Sequence, residues 1–166
     1  MKTVKLGSFK IGEDKIFVAD PSYDYGDCGT VLLKKVLLGK YFANVTTDDN
    51  LITSLKICHS DFKNCDLNFE RCGVISVDSG QAGFFDKNYF IKKQGGEVGE
   101  LNSLFGFSCA VTSSPKQAGI IHKKGVVSSS GFGDGFYHVF VAKNSANKIV
   151  SAYIAFISKS ELEELK

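Results

Sequence analysis

The fold is indicated most directly by one stretch, VVSSSGFGDGFY (Val126 to Tyr137). Its β-branched start, glycine-rich middle and aromatic end predict a strand, a hairpin and a returning strand. Gly131, Gly133 and Gly135 recur at every second position, and glycine adopts backbone angles that other residues avoid. Asp134 stands between two of these glycines, as is common at hairpin tips. The stretch therefore predicts antiparallel β-structure.

The rest of the chain repeats the alternation of apolar and polar residues that is typical of strands. Strands are predicted at Thr3 to Lys10, Lys15 to Ala19, Val31 to Val45, Leu51 to His59, Val74 to Asp78, Lys124 to Ser129, Phe136 to Ala142 and Ile149 to Ile157, and the long third segment forms one strand or two. We expect about eight to ten strands in an antiparallel β-sandwich or open barrel. Ser160, followed by acidic residues, predicts a capped short C-terminal helix within Ser158 to Lys166. Glu97 to Phe105 is expected to hold a further turn of helix or a lid over one end of the sheet.

The composition fits a single β-rich domain over residues 1–166, because a chain of this length with 43% hydrophobic residues can bury one core. The net charge is +2 and the basic residues are spread along the sequence, which argues against nucleic acid as the main partner. No apolar run has the length of a membrane span or the form of a signal sequence. Five cysteines, an odd number, favour reduced thiols. We therefore expect a cytoplasmic protein without membrane contact.

Two glycine blocks form the candidate site. The first is DSGQAGFFD (Asp78 to Asp86), and the second is SSSGFGDGFY (Ser128 to Tyr137). Each combines small residues that allow close approach to the backbone, polar residues for hydrogen bonds and aromatic residues for contact area. We interpret the first block as a bend after a buried strand, and we expect the two blocks to lie side by side at one end of the fold. The predicted partner-binding or ligand-binding residues are Asp78, Ser79, Gln81, Phe84, Phe132, Asp134, Phe136 and Tyr137.

These residues predict a small, non-catalytic binding module rather than an enzyme. Exposed rings with a polar rim are typical of binding surfaces, and we expect a protein partner rather than a small molecule. An immunity, inhibitor or regulatory protein derived from a phage or an accessory genome would have this character and would need no cofactor. Homodimerisation through an exposed strand edge is left open.

A divalent-metal-dependent hydrolase is the alternative hypothesis. Hard cations prefer oxygen ligands drawn from several loops, and Asp20, Asp24, Asp78 and Asp134 would supply them. Asp20 and Asp24 share the turn-rich stretch DPSYD, whereas the other two would have to converge from distant parts of the sequence. Without a metal ion, the same carboxylates would cap turns and face solvent.

Three stretches carry a resemblance to a known family. They are VADPSYD (Val18 to Asp24), VDSGQAGFFD (Val77 to Asp86) and VVSSSGFGDGFY. Over roughly Ile16 to Phe156 the chain resembles a largely bacterial family of unknown function, the DUF4241-like proteins. The resemblance implies a shared β-rich fold and brings no established activity. This chain differs in having no tryptophan and in placing Phe136 where a small residue is usual.

Overall fold

Within residues 1–164, which the computed structural model describes, two antiparallel β-sheets pack face to face and do not close into a barrel. The eleven strands in these residues are β1 (Lys2–Ile11), β2 (Lys15–Ala19), β3 (Val31–Lys34), β4 (Gly39–Asp48), β5 (Leu51–His59), β6 (Glu70–Val77), β7 (Gln81–Asp86), β8 (Ala118–Ile121), β9 (Gly125–Ser129), β10 (Gly135–Lys143) and β11 (Ile149–Ala155). The six-stranded sheet has the order β1-β4-β5-β11-β10-β6, and the five-stranded sheet has the order β3-β2-β7-β9-β8. The predicted β-sandwich is confirmed.

The helices are short. They are a 3-10 turn (Ser60–Phe62), α1 (Lys87–Lys93), α2 (Leu104–Thr112) and α3 (Lys159–Glu164). The predicted C-terminal helix is confirmed, but its cap is Ser158 rather than Ser160, because Ser158 Oγ accepts the Glu161 amide at 3.3 Å and Glu161 Oε2 accepts the Ser158 amide at 2.7 Å. Leu165 and Lys166, at the end of the predicted helix, lie outside the described residues. None of the helices in the described part of the chain has the length and apolarity needed to cross a bilayer.

The core lies between the sheets and follows from the alternation along each strand. In β4, Tyr41, Ala43 and Val45 point inward and are buried, whereas Lys40 and Asn44 face outward. Burial raises the pKa of Tyr41, and its hydroxyl donates a hydrogen bond to a backbone carbonyl oxygen at 2.7 Å. The largest polar group in this part of the core is therefore satisfied.

A second apolar layer covers the outward face of the five-stranded sheet. Helices α1 and α2 supply the buried side chains Phe90 and Leu104, which pack in one cluster with Phe17 and Phe85 of the sheet. Strand β7 is therefore covered on both faces, and all six of its residues are buried. The outward face of the six-stranded sheet differs, since Phe136 on this face is 80% exposed.

The structure corrects several predictions made from the alternation. The segment Val31 to Val45, predicted as one strand or two, contains β3 and the first part of β4, and the alternation does not predict β7 or β8. The second glycine block is not a hairpin, because β9 belongs to the five-stranded sheet and β10 to the six-stranded sheet. Residues 130–134 connect the two sheets instead. The helical turn expected within Glu97 to Phe105 is the start of α2 at Leu104.

Candidate functional site

Both glycine blocks carry the chain between the two sheets, and they do so at the same corner. β6 ends at Val77 and β7 begins at Gln81, while β9 ends at Ser129 and β10 begins at Gly135. Val77 lies opposite Gly135 in one sheet, and Gln81 lies opposite Ser129 in the other. The two connections therefore run side by side. We refer to residues 78–80 and 130–134 as the double crossover.

The two connections of the double crossover are in direct contact. The Ser130 amide donates a hydrogen bond to the Gly80 carbonyl oxygen at 3.0 Å, and a β-carbon on Gly80 would lie 3.8 Å from Gly133 Cα. The Gly133 carbonyl oxygen accepts hydrogen bonds from Ser130 Oγ and from the Tyr137 hydroxyl, both at 2.7 Å. The longer connection is thus held by side chains at both of its ends.

Gly131 is the position in the double crossover that most requires glycine. Its φ is +65°, and a β-carbon there would lie 2.9 Å from Ile157 Cγ1. We expect Gly131→Ala to lower the free energy of unfolding by about 2 kcal/mol, because it combines left-handed backbone with a close contact. Gly12→Ala is the matched control, since a β-carbon there meets no described atom within 4 Å. Urea unfolding measures both variants, and equal stability of the two would contradict this account of the corner.

Asp20 fixes the loop after β2 to the double crossover. The carboxylate is fully buried. Its Oδ2 accepts the amides of Asp78 and Ser79, each at 2.8 Å, and its Oδ1 accepts the Ser22 amide at 2.8 Å and the Ser79 hydroxyl at 2.6 Å. Four hydrogen bonds satisfy both oxygens of a carboxylate in a buried position. Asp20 therefore holds together the backbone that forms the corner.

The other aspartates of the alternative hypothesis lie in different surroundings. Asp78, Asp24 and Asp134 are exposed, and Asp78 Oδ2 accepts the Tyr23 hydroxyl at 2.5 Å. A cation bound by Asp20 would have to compete with the backbone donors that its oxygens already accept. Among residues 1–164, no three His, Cys, Asp or Glu side chains are grouped as metal ligands. The position of Asp20 thus lends the metal hypothesis no support.

Four of the predicted binding residues lie at the surface of the corner. Asp78 and Asp134 are exposed carboxylates, and Phe132 and Phe136 are 55% and 80% exposed. Ser79 is half-buried and engaged with Asp20. The structure thus brings one exposed carboxylate from each glycine block, and two exposed rings from the second block, to one corner.

The remaining three predicted residues are buried and do not line this surface. Phe84 is completely buried between the sheets, and Gln81 and Tyr137 are 6% and 7% exposed. Phe84 and Gln81 belong to β7, which is a strand of the sandwich rather than the predicted bend. Gln81 Nε2 instead reaches Cys109 Sγ on α2 at 3.5 Å. Tyr137 holds the double crossover through its hydrogen bond to the Gly133 carbonyl oxygen. Because all three side chains are buried, none of them offers contact area to a partner.

Sequence reasoning overlooks two residues that shape the corner, Tyr23 and Ser76. The Tyr23 hydroxyl donates to Asp78 and lies 3.0 Å from Ser76 Oγ. Burial, followed by the hydrogen bond to Asp78, raises the pKa of Tyr23, which keeps the phenol protonated as a donor. The signal is the DPSYD stretch, in which Tyr23 follows Asp20 by three residues.

The cysteines and histidines have separate roles. All five cysteines are free thiols. His59 Nε2 lies 2.9 Å from the Leu38 carbonyl oxygen, and His122 Nδ1 lies 2.6 Å from the Tyr89 hydroxyl. Burial raises the pKa of Tyr89 to about 12. These two imidazoles are thus engaged with backbone and phenol groups.

No family model, curated protein or solved structure matches this chain. The resemblance to the DUF4241-like family therefore stays a prediction. A fold alone does not determine function.

Proposed function

We propose that this chain is a non-catalytic protein-binding module that contacts its partner through Phe132 and Phe136. The observation that carries this proposal is their exposure, 55% and 80%, at a corner whose backbone is held by hydrogen bonds. Burying one phenylalanine side chain contributes about 1.5–3 kcal/mol. Two such rings within five residues offer a partner a substantial apolar anchor.

The rigidity of the double crossover supports this proposal. Ser130 is completely buried and bonds both to Gly80 and to Gly133, while Gly131 packs against Ile157. A loop already held in one conformation loses little entropy when a partner binds. The rings therefore resemble preorganised anchors rather than side chains of a mobile loop.

The rim of this surface indicates the chemistry of the partner. Two carboxylates of this rim, Asp78 and Asp134, are exposed. The pKa of Tyr137 is raised by burial and by the negative charges of Asp134 and Glu161. We therefore expect the partner to present an apolar pocket surrounded by Lys or Arg. Small molecules bind in concave sites, such as the groove of about 500 Å³ near Lys5, whereas two exposed rings suit a protein surface.

An immunity, inhibitor or regulatory protein acts by binding its partner and blocking a surface of it. A binding surface such as the one formed by Phe132 and Phe136 would serve that purpose. The proposal places the module in the cytoplasm, where five free thiols would stay reduced. Membership of the DUF4241-like family belongs to the same proposal, supported by the three shared stretches. A second copy of the chain is an admissible partner, and the capture experiment below identifies it if a homodimer forms.

The test is quantitative capture of the partner from an extract of the source cells, using wild-type protein and the F132A/F136A double variant. We expect the double variant to bind at least about thirtyfold more weakly, which corresponds to about 2 kcal/mol. Its thermal midpoint should match that of wild type, because both rings are exposed. V98A/L101A is the matched control, since Val98 and Leu101 are 75% and 57% exposed elsewhere. A partner retained by F132A/F136A, or lost equally by both double variants, would refute the proposal.

A further inference from the structure

A row of outward side chains crosses the six-stranded sheet in register. Phe140 on β10 lies opposite Tyr153, which lies opposite Lys56, which lies opposite Asn44, which lies opposite Lys5 on β1. Neighbouring strands are about 4.8 Å apart, so four such steps span about 19 Å. The row begins with aromatic rings and ends with a lysine at the edge strand.

The aromatic rings at this end of the row contact one another. Phe140 and Tyr153 are stacked, with centroids 4.7 Å apart and planes at 7°. Phe69 meets Tyr153 edge to face at 5.0 Å, and the Lys56 ammonium lies 5.0 Å from the Phe69 centroid. Single-stranded nucleic acid binds by stacking bases on free ring faces, and here Phe140 and Tyr153 each cover one face of the other ring. Ring edges carry partial positive charge and suit an anionic group better than a base.

The lysine end of the row contains the groove of about 500 Å³. Its lining is Lys5, Gly7, Phe42, Ala43, Asn44, Lys63 and Asn64, without a carboxylate among them. The pairing of β1 with β4 shifts register between Lys5 and Gly7, and Gly7 has a φ of +116°. A bulge of this kind redirects side chains and bends an edge strand. We refer to these seven residues as the lysine groove.

Positive charge is concentrated here without neutralising partners. The ammonium groups of Lys40 and Lys63 lie 5.0 and 5.5 Å from the Phe42 centroid. Within residues 1–164, neither of these lysines, nor Lys5 or Lys56, forms an ion pair. A cation beside a ring keeps most of its attraction for an external anion.

We propose that the lysine groove and the adjoining row bind an acidic segment of a protein. Carboxylates of the segment would contact Lys5, Lys56 and Lys63, and the amides of Asn44 and Asn64 would donate hydrogen bonds to it. This inference goes beyond the function proposed above, because it uses a different part of the surface. It would stand even if Phe132 and Phe136 bound nothing.

The experiment measures binding of a fluorescent oligoglutamate peptide to the full chain by anisotropy, at low and at physiological salt. We expect saturable binding that weakens with salt. K5Q/K63Q should weaken it about tenfold, because it removes two of the lysines that face the groove. K92Q/K93Q is the matched control, since it removes the same charge from α1 on the opposite sheet, and it should bind like wild type.

Three outcomes would overturn the inference. The first is no saturable binding of oligoglutamate. The second is tighter binding of an oligothymidylate of similar length, which would assign the face to nucleic acid. The third is an equal loss in K5Q/K63Q and K92Q/K93Q, which would show an effect of net charge alone. Backbone amide shifts confined to Lys5, Gly7, Asn44 and Asn64 on adding oligoglutamate would support the groove as the site.

Discussion

Asp20→Ala is expected to lower the free energy of unfolding by about 4 kcal/mol. The substitution removes a buried carboxylate and leaves three backbone amides, those of Ser22, Asp78 and Ser79, without their acceptor. For a chain of this size the thermal midpoint should fall by about 8–16 °C. Calorimetry or thermal melting monitored by circular dichroism measures the shift.

Two further variants separate the role of Asp20 from a general effect of removing charge. Asp20→Asn keeps one acceptor oxygen and should lie between wild type and Asp20→Ala. Asp24→Ala removes an exposed carboxylate of the same loop and should change stability by no more than about 0.5 kcal/mol. A drop as large in Asp24→Ala as in Asp20→Ala would contradict the structural role assigned to Asp20. So would a rise in the thermal midpoint of wild type on adding calcium, magnesium, manganese or zinc that Asp20→Ala abolishes.

Phe84→Ala is expected to cost about 4 kcal/mol, comparable to the loss of Asp20. Phe84 is completely buried between the sheets, where it packs in the core cluster with Val18 and Val126. Removing the ring leaves a cavity that the flanking strands cannot fill without moving. Urea unfolding gives the difference in stability.

Phe136→Ala is the natural control for Phe84→Ala, because it removes the same ring from an 80% exposed position. It should leave stability within about 0.5 kcal/mol of wild type. The two substitutions together test which aromatic residues of the glycine blocks support the fold and which face a partner. Similar losses for both would mean that this division is wrong.

The sequence predicts the β-sandwich because most strands are exposed on one face and therefore alternate. Strand β7 does not alternate and is not predicted, because α1 and α2 cover its outer face and the other sheet covers its inner face. Gly83 adds to the difficulty, because glycine is usually a turn signal. Here it is required by packing, since a β-carbon would lie 2.4 Å from the Val126 carbonyl oxygen. Glycine in a strand can thus mark a close approach instead of a bend.

The location of the candidate site is predictable, but its construction is not. The glycines of the two blocks predict unusual backbone conformations. In the structure the two blocks meet through the hydrogen bond from the Ser130 amide to the Gly80 carbonyl oxygen. Local sequence cannot show that β9 and β10 pair with other strands, because pairing partners such as β6 and β7 are distant in sequence. The hairpin signal of residues 131–135 therefore describes a crossing between sheets.

The lysines on the outward face of the six-stranded sheet could not be grouped from the sequence either. Lys5, Lys40, Lys56 and Lys63 are widely spaced in the sequence and form no basic cluster there. The register of β1, β4 and β5 places Lys5, Lys40 and Lys56 on one face of the six-stranded sheet. The 3-10 turn after β5 brings Lys63 to the same face, where its ammonium lies 5.5 Å from the Phe42 centroid. A basic patch of this kind depends on pairing between distant strands and does not show as a cluster of lysines in the sequence.

Hydroxyl-radical footprinting of the captured complex tests most directly whether the double crossover carries the partner surface. The proposal predicts that oxidation of Phe132 and Phe136 falls sharply in the complex, while that of Val98 and Leu101 stays as in the free chain. Equal oxidation of Phe132 and Phe136 in the free and bound states would contradict it.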